Sequence, residues 1–272
     1  MVAPMRACTP GRVPGLGDTG AMTRARRIQE ALRRNASAGR REVRSGPFTL
    51  YVAGQDASSQ ASYAIPDAGA RADPAVLAAL RTAFTEQERV PRVELVAEEA
   101  PGLLEDLRAG DFTIDLETPV MVCEPARLQA PPAPEGVTLQ RVDAHSGRNA
   151  LRELVSVQRR AFAGEDATDA DVDRMPQTLA GGMAVLARVG IEPAGGGMFL
   201  APAGSVAEVA GVGVLTAFRG RGVATAITAE LARLAFRGGA ELAMLTPGSG
   251  AAGRAYARAG FAPELRMVHL RG

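Results

Sequence analysis

The chain has 272 residues, 46% of them hydrophobic and 22% charged, with 31 basic against 30 acidic side chains. That length allows one large or two small domains. A net charge of +1, with every basic residue an arginine, argues against a dedicated nucleic-acid binder. No uninterrupted apolar run is long enough to span a bilayer and the N-terminus has no signal-like apolar core, so no membrane association is expected and the cytoplasm is the expected location. Two cysteines, Cys8 and Cys123, and two histidines, His145 and His269, provide neither a disulfide framework nor a metal cluster.

Residues 1–45 read as a disordered tail, Gly- and Pro-rich to about residue 21, followed by a short arginine-rich helix over Thr23–Asn35. That helix reads as solvated and loosely packed, in preference to a binder of anions or membrane surfaces. Residues 46–124 read as a small α/β unit. Strands are predicted at Pro47–Val52 and Ala61–Ile65, then a helix opened by Pro74 with Asp73 as cap. A strand at Arg92–Val96, a helix from Pro101 and a strand from Phe112 to Cys123 complete it. Residues 125–136 form a Pro-rich linker.

From 137 to 272 the pattern begins again: a strand at Val137–Val142 and a helix over Asn149–Phe162. The acidic stretch Ala163–Asp173 that follows offers either attraction for a cationic amine or a plain solvated loop. A strand at Met183–Val189, a turn at Ala194–Gly197 and a returning strand lead to the stretch Glu208–Phe261, around which the chain is organised. Val209, Val212 and Val214 make a buried strand. Arg219-Gly-Arg-Gly222 makes a glycine turn. Val223, Ile227, Leu231 and Leu234 recur at helical spacing. Strand, glycine turn and helix N-terminus together form a phosphate cradle, because the first N–H groups of a helix lack partners and glycine lets the backbone come close. A P-loop is excluded, since Val223 and Ala224 stand where Lys and Ser or Thr are needed. A dinucleotide fingerprint fails at Thr225.

Arg219-Gly220-Arg221-Gly222-Val223-Ala224 resembles the Arg-x-x-Gly-x-Gly/Ala turn of the GNAT superfamily of acyltransferases. Ala251–Phe261 resembles the same superfamily's helix that carries a tyrosine and ends in Gly-Phe. The resemblance covers about 136–272. It implies a mixed, mostly antiparallel α/β (α+β) sheet flanked by helices, and an acetyl group moved from acetyl-CoA, the co-substrate, to a primary amine by direct attack. It assigns cofactor contacts to Val212, Gly213 and Val214 of the strand and to Arg219, Gly220, Arg221, Gly222, Val223, Ala224 and Thr225 of the turn and helix. Tyr256 is the candidate proton donor to the leaving thiolate, a slightly uphill transfer that a nearby arginine or helix terminus could level, and Glu208 the candidate base. His269 is a weaker candidate base. The alternative is a non-catalytic acyl-CoA-binding module.

The order helix, strand, helix, Gly-Phe-like signal, strand also occurs before the linker, where Arg108-Ala-Gly110 matches Arg258-Ala-Gly260. The chain therefore reads as a tandem: a degenerate GNAT-like domain at 46–124 and an acetyltransferase domain at 137–272. Asp106 stands in the first half where Tyr256 stands in the second, and no Arg-x-x-Gly turn precedes it, so no coenzyme A is expected there. Only about eleven residues follow Phe261, enough for one strand where the family places a hairpin, so either the sheet edge is completed between the halves or the site stays more open than is usual in the family.

Overall fold

Asp73 accepts a hydrogen bond from the Val76 N–H and Pro74 takes the first helical position, so helix α2 (Pro74–Thr85) starts where the sequence sets it. The structure, a computed structural model, describes residues 22–54, 61–162 and 165–272; the predicted tail at 1–21 lies outside them. Before α2 come α1 (Arg24–Ser37), β1 (Arg41–Ser45), β2 (Phe48–Val52) and β3 (Tyr63–Pro66); after it come β4 (Arg92–Val96), α3 (Pro101–Ala109) and β5 (Thr113–Cys123). The second half runs β6 (Val137–Val142), α4 (Arg148–Phe162), α5 (Asp169–Thr178), β7 (Met183–Val189), β8 (Glu192–Phe199), β9 (Val206–Val214), α6 (Val223–Arg237), β10 (Leu242–Leu245), α7 (Gly250–Arg258) and β11 (Ala262–Arg271).

These strands form one mixed sheet in the order β1-β2-β3-β4-β11-β5-β10-β9-β8-β7-β6. Among the described residues only β3–β4 and β9–β10 pair in parallel; the other neighbours are antiparallel. The two halves exchange their last strands. β11 leaves the second half to pair with β4, β5 leaves the first to pair with β10, and the two lie antiparallel at the centre of the sheet. One strand after Phe261 is therefore enough, because the missing edge comes from the other half. Read outward from this central pair, each half has a parallel pair followed by antiparallel strands, and the second half carries one strand more, β6.

Two readings of the sequence change. The glycines of Ala194–Gly197 lie inside β8, and the turn is at Gly190–Ile191. A Cβ on Gly195 would stand 2.8 Å from the Gly213 carbonyl oxygen, and one on Gly196 would stand 2.9 Å from Leu154 Cδ1 of α4. These glycines let a helix and a neighbouring strand approach the sheet; they do not bend the chain. Helix α1, expected to pack loosely, is held firmly. Ile28 and Ala31 are buried among Val206, Leu242 and Met244. Arg24 pairs with Glu124 and Glu264, and Arg27 pairs with Glu241. Arg33 pairs likewise with Asp67, so most of its arginines are bound within the molecule.

Candidate active site

The parallel pairing of β9 with β10 covers only Val206–Glu208 against Leu242–Met244. Beyond Glu208 the strands separate, and a cleft of about 760 Å³ opens between β9 and α6 on one side and the end of β10 and α7 on the other. The sheet makes this slot because β10 stops at Leu245 while β9 continues to Val214.

β9 is irregular where it lines the cleft. Gly196 pairs with Gly213 and Met198 with Ala210, so Gly211 and Val212 together stand opposite Gly197. Such a bulge removes backbone groups from the ladder and turns them outward. From α4, the Gln158 Nε2 donates to the Gly211 carbonyl at 2.8 Å and fixes the bulge.

At the other end of β9, Gly222 takes the N-cap position of α6 with φ of 81° and no side-chain cap. That left-handed backbone favours glycine, and the helix's first N–H groups are left facing the cleft. They carry the positive end of the helix dipole. Arg219 folds its Nε back to the Val214 carbonyl at 3.0 Å, bracing the turn. Arg221 lies over the Phe218 ring at 5.8 Å and is not part of the lining. Thr225 uses its hydroxyl to donate to the Ala255 carbonyl at 3.1 Å, tying α6 to α7, so its backbone N–H is what it can offer a ligand.

Tyr256 is buried on α7 and lines the cleft. Among the described residues its hydroxyl has no hydrogen-bond partner. Burial raises its pKa, so the phenol stays protonated through the neutral range. Glu208 lines the same cleft where β9 and β10 part. Glu208 is half-buried. Burial pushes its pKa up, a hydrogen bond from Asn35 pulls it down, the Glu94 charge raises it and Arg40 lowers it.

The cleft thus brings together Tyr256, Glu208, the β9 residues 212–214 and the turn residues 219, 220 and 222–225. His269 lies apart from it and pairs with Glu94 at 3.1 Å; His145 sits in a loop. The acidic stretch does not present free charge. Arg159 holds Glu165 and Asp171, Arg160 holds Asp166, and Arg148 and Arg152 hold Asp169 and Asp173, so attraction for a cation is cancelled there. The sequence reading missed Gln158, Asn35, and Arg254 and Arg258, which line the cleft from α7 with no carboxylate in salt-bridge range among the described residues. The spacing of the two arginines, one helical turn apart, was visible; the reach of Gln158 and Asn35 was not.

Residues 149–261 match the model of the acetyltransferase (GNAT) family. No curated protein sequence matches the chain. A GCN5-related N-acetyltransferase from Kribbella flavida is 34% identical over 92% of this chain and 96% of its own, with a TM-score of 0.79. A GCN5-related N-acetyltransferase from Sphaerobacter thermophilus is 22% identical, covering 68% of this chain and 59% of its own, at a TM-score of 0.54. A tandem GNAT protein from the clavulanic acid biosynthesis pathway is 16% identical, covering 83% of this chain and 78% of its own, at 0.62. The last two show the fold alone, one of them in tandem form. The chain belongs to the GNAT family of acetyltransferases.

Proposed function

We propose that the chain moves an acetyl group from acetyl-CoA to a primary amine by direct attack. The observation that carries this reading is the shared cleft. The uncapped N-terminus of α6, the bulge of β9, the unpartnered Tyr256 hydroxyl and the Glu208 carboxylate all open on one slot. Backbone N–H groups at 221–225 would hold the pyrophosphate, with Arg219, Arg254 and Arg258 adding charge around it. The strand residues Val212, Gly213 and Val214 would line the pantetheine arm, and an N–H freed by the bulge near Val212 would polarise the thioester carbonyl.

Glu208 accepts the ammonium proton, directly or through a water in the cleft, and frees the nitrogen lone pair. The C–N bond forms and the C–S bond breaks. Tyr256 gives its proton to the departing thiolate. A phenol near 10 or above is a weaker acid than a thiol near 8.5, so this transfer is modestly uphill; the same raised pKa keeps Tyr256 charged with its proton at every neutral pH.

The first half is read as lacking a cofactor site, because its own groups fill the corresponding places. β3 and β4 pair only at Ala64 and Val93, and buried Gln29 bridges the gap beyond, donating to the Pro66 carbonyl at 2.9 Å and accepting from the Val96 N–H at 3.0 Å. Before α2, Asp106 of α3 accepts from the Ala72 N–H at 3.0 Å and from Arg71, supplying an internal anion.

Calorimetric titration of acetyl-CoA into the wild type and an Arg219→Ala, Gly222→Asp double variant tests the reading, followed by a panel of alkylamines, amino acids, an aminoglycoside and a lysine peptide. Wild-type binding that is lost in the variant, with acetylation of a panel amine, supports it. Equal binding by both variants moves the site elsewhere. Binding without turnover of any amine favours the non-catalytic module.

A further inference from the structure

The side chain that hydrogen-bonds Glu208 comes from neither strand beside it. Asn35, in the last turn of α1 and 173 positions earlier in sequence, donates its Nδ2 to Glu208 Oε2 at 2.6 Å. We propose that Asn35 is a positioning residue for the general base, so that a helix outside the matched acyltransferase domain completes the catalytic site. The inference rests on the reading of Glu208 as base.

Helix α1 is fixed well enough for this task. Arg27 donates to Ser205 at 2.6 Å and to Glu241 at 2.9 Å, beside the start of β9 and β10. Buried Gln29 ties the same helix to β3 and β4. Ile28 and Ala31 pack against Val206 and Leu242 beneath. A helix anchored at these points cannot slide along β9 without breaking buried contacts, so the Asn35 amide is delivered to one place.

The chemistry of the contact is selective. Among the described residues Glu208 has no salt-bridge partner, and Asn35 is its one side-chain donor. The other charged or titratable groups facing it are Arg40 after α1, Glu94 of β4 and Tyr63 of β3. Arg40 is already engaged with the Ala61 and Ala36 carbonyls and lies over the Tyr63 ring at 5.2 Å. Glu94 is paired with His269. A guanidinium on Glu208 would hold it ionised but leave it a poor base. With no donor, nothing at Oε2 would offset the effect of burial, and the carboxyl would hold its proton more tightly. A neutral amide does something intermediate: it favours the ionised form, occupies Oε2 and leaves Oε1 for the cleft.

The test is a pH titration of the full chain carrying ¹³C-carboxyl-labelled glutamate, with Glu208→Gln assigning the resonance, in wild type, Asn35→Ala and Asn35→Asp. Removing a hydrogen bond to the charged form raises the carboxyl's pKa. The Glu208 midpoint is expected to move up by roughly one pH unit in Asn35→Ala, and further in Asn35→Asp, where a like charge is added. The acid limb of kcat/KM for whichever panel amine is turned over best should move with it, with the KM for acetyl-CoA unchanged. A midpoint that stays at the wild-type value in the folded variants overturns the proposal. Full activity in Glu208→Gln instead overturns the base reading beneath it, whatever the titration shows.

Discussion

Gln158 and Gly211 are fitted to each other. The Gln158 Nε2 donates to the Gly211 carbonyl at 2.8 Å, and a Cβ on Gly211 would stand 2.6 Å from that nitrogen. A helix side chain and a strand without one thus hold the bulge that turns β9 toward the cleft. Replacing Gln158 with leucine leaves the carbonyl without its donor and the bulge without its anchor. We expect kcat to fall by about 10- to 100-fold, short of or comparable to the loss of one preorganised oxyanion donor, with acetyl-CoA affinity by calorimetry little changed. An unchanged kcat would mean that the bulge keeps its shape without Gln158.

Tyr256→Phe removes the hydroxyl proposed as proton donor and nothing from the packing. A positioned general acid is commonly responsible for a factor of about 100 or more, so kcat should drop by that order while acetyl-CoA still binds as in the wild type. Because burial raises the phenol's pKa, no fall in wild-type activity from Tyr256 ionisation is expected below about pH 10. Wild-type kcat in the Phe variant would return Tyr256 to the status of a core residue.

Glu208 sets a cost in stability for its position. Its pKa is raised in the fold, chiefly by burial, so the folded state binds its proton more tightly than the unfolded chain does. Its contribution to stability is therefore favourable at low pH and is lost as pH rises through the raised value. Glu208→Gln keeps the shape and removes the charge. Thermal unfolding should show this variant more stable than the wild type at pH 7, with the difference shrinking as the pH is lowered toward 4. A variant less stable at pH 7 would contradict the assignment of burial as the dominant influence.

Asp106 has the opposite sign. The Arg71 hydrogen bond, followed by burial acting against it and by the Ala72 N–H, leaves its pKa lowered to about 2. Its stabilisation is present above the unfolded carboxylate's value near 4 and disappears as pH falls toward 2. Asp106→Asn should melt earlier than the wild type at pH 7, and the two curves should converge in acid. Parallel curves across that window would show that the ionised carboxylate is not what holds the start of α2.

Gly260 is fixed by two constraints at once. Its φ is 97°, and a Cβ there would lie 2.2 Å from the Arg127 carbonyl oxygen, where the linker passes and Gln129 donates to the Ala259 carbonyl. Left-handed strain costs about 1–2 kcal/mol and overpacking about 1–3 kcal/mol, so Gly260→Ala should lose about 2–5 kcal/mol in urea unfolding. A loss below 1 kcal/mol would mean that the linker moves aside freely.

Much of this molecule was legible before any coordinates. Apolar runs and helical spacing placed most of the elements, since the run Val209 to Val214 and the row Val223, Ile227, Leu231 are set by what must be buried; β1 and α5, mostly polar or charged, gave no such signal. The turn at Arg219–Gly222 and the Tyr256 to Phe261 signal were legible because their spacing is local: a cap, a left-handed glycine and a helix start are consecutive in sequence. The glycines of β8 misled for the same reason. Their local signal reads as a turn, while their cause is the approach of α4 and β9 from elsewhere in the chain.

The sequence by itself determined the family, the cleft-lining turn and the candidate pair Tyr256 and Glu208, all through short-range patterns that chemistry repeats. Tertiary structure alone decided that β5 and β11 change places, that the acids after α4 are neutralised by its arginines, and that Asn35 and Gln158 reach Glu208 and Gly211. These are contacts between segments far apart in the chain. They follow from how a twisted sheet brings its strands and helices together, and no local spacing of residues encodes them.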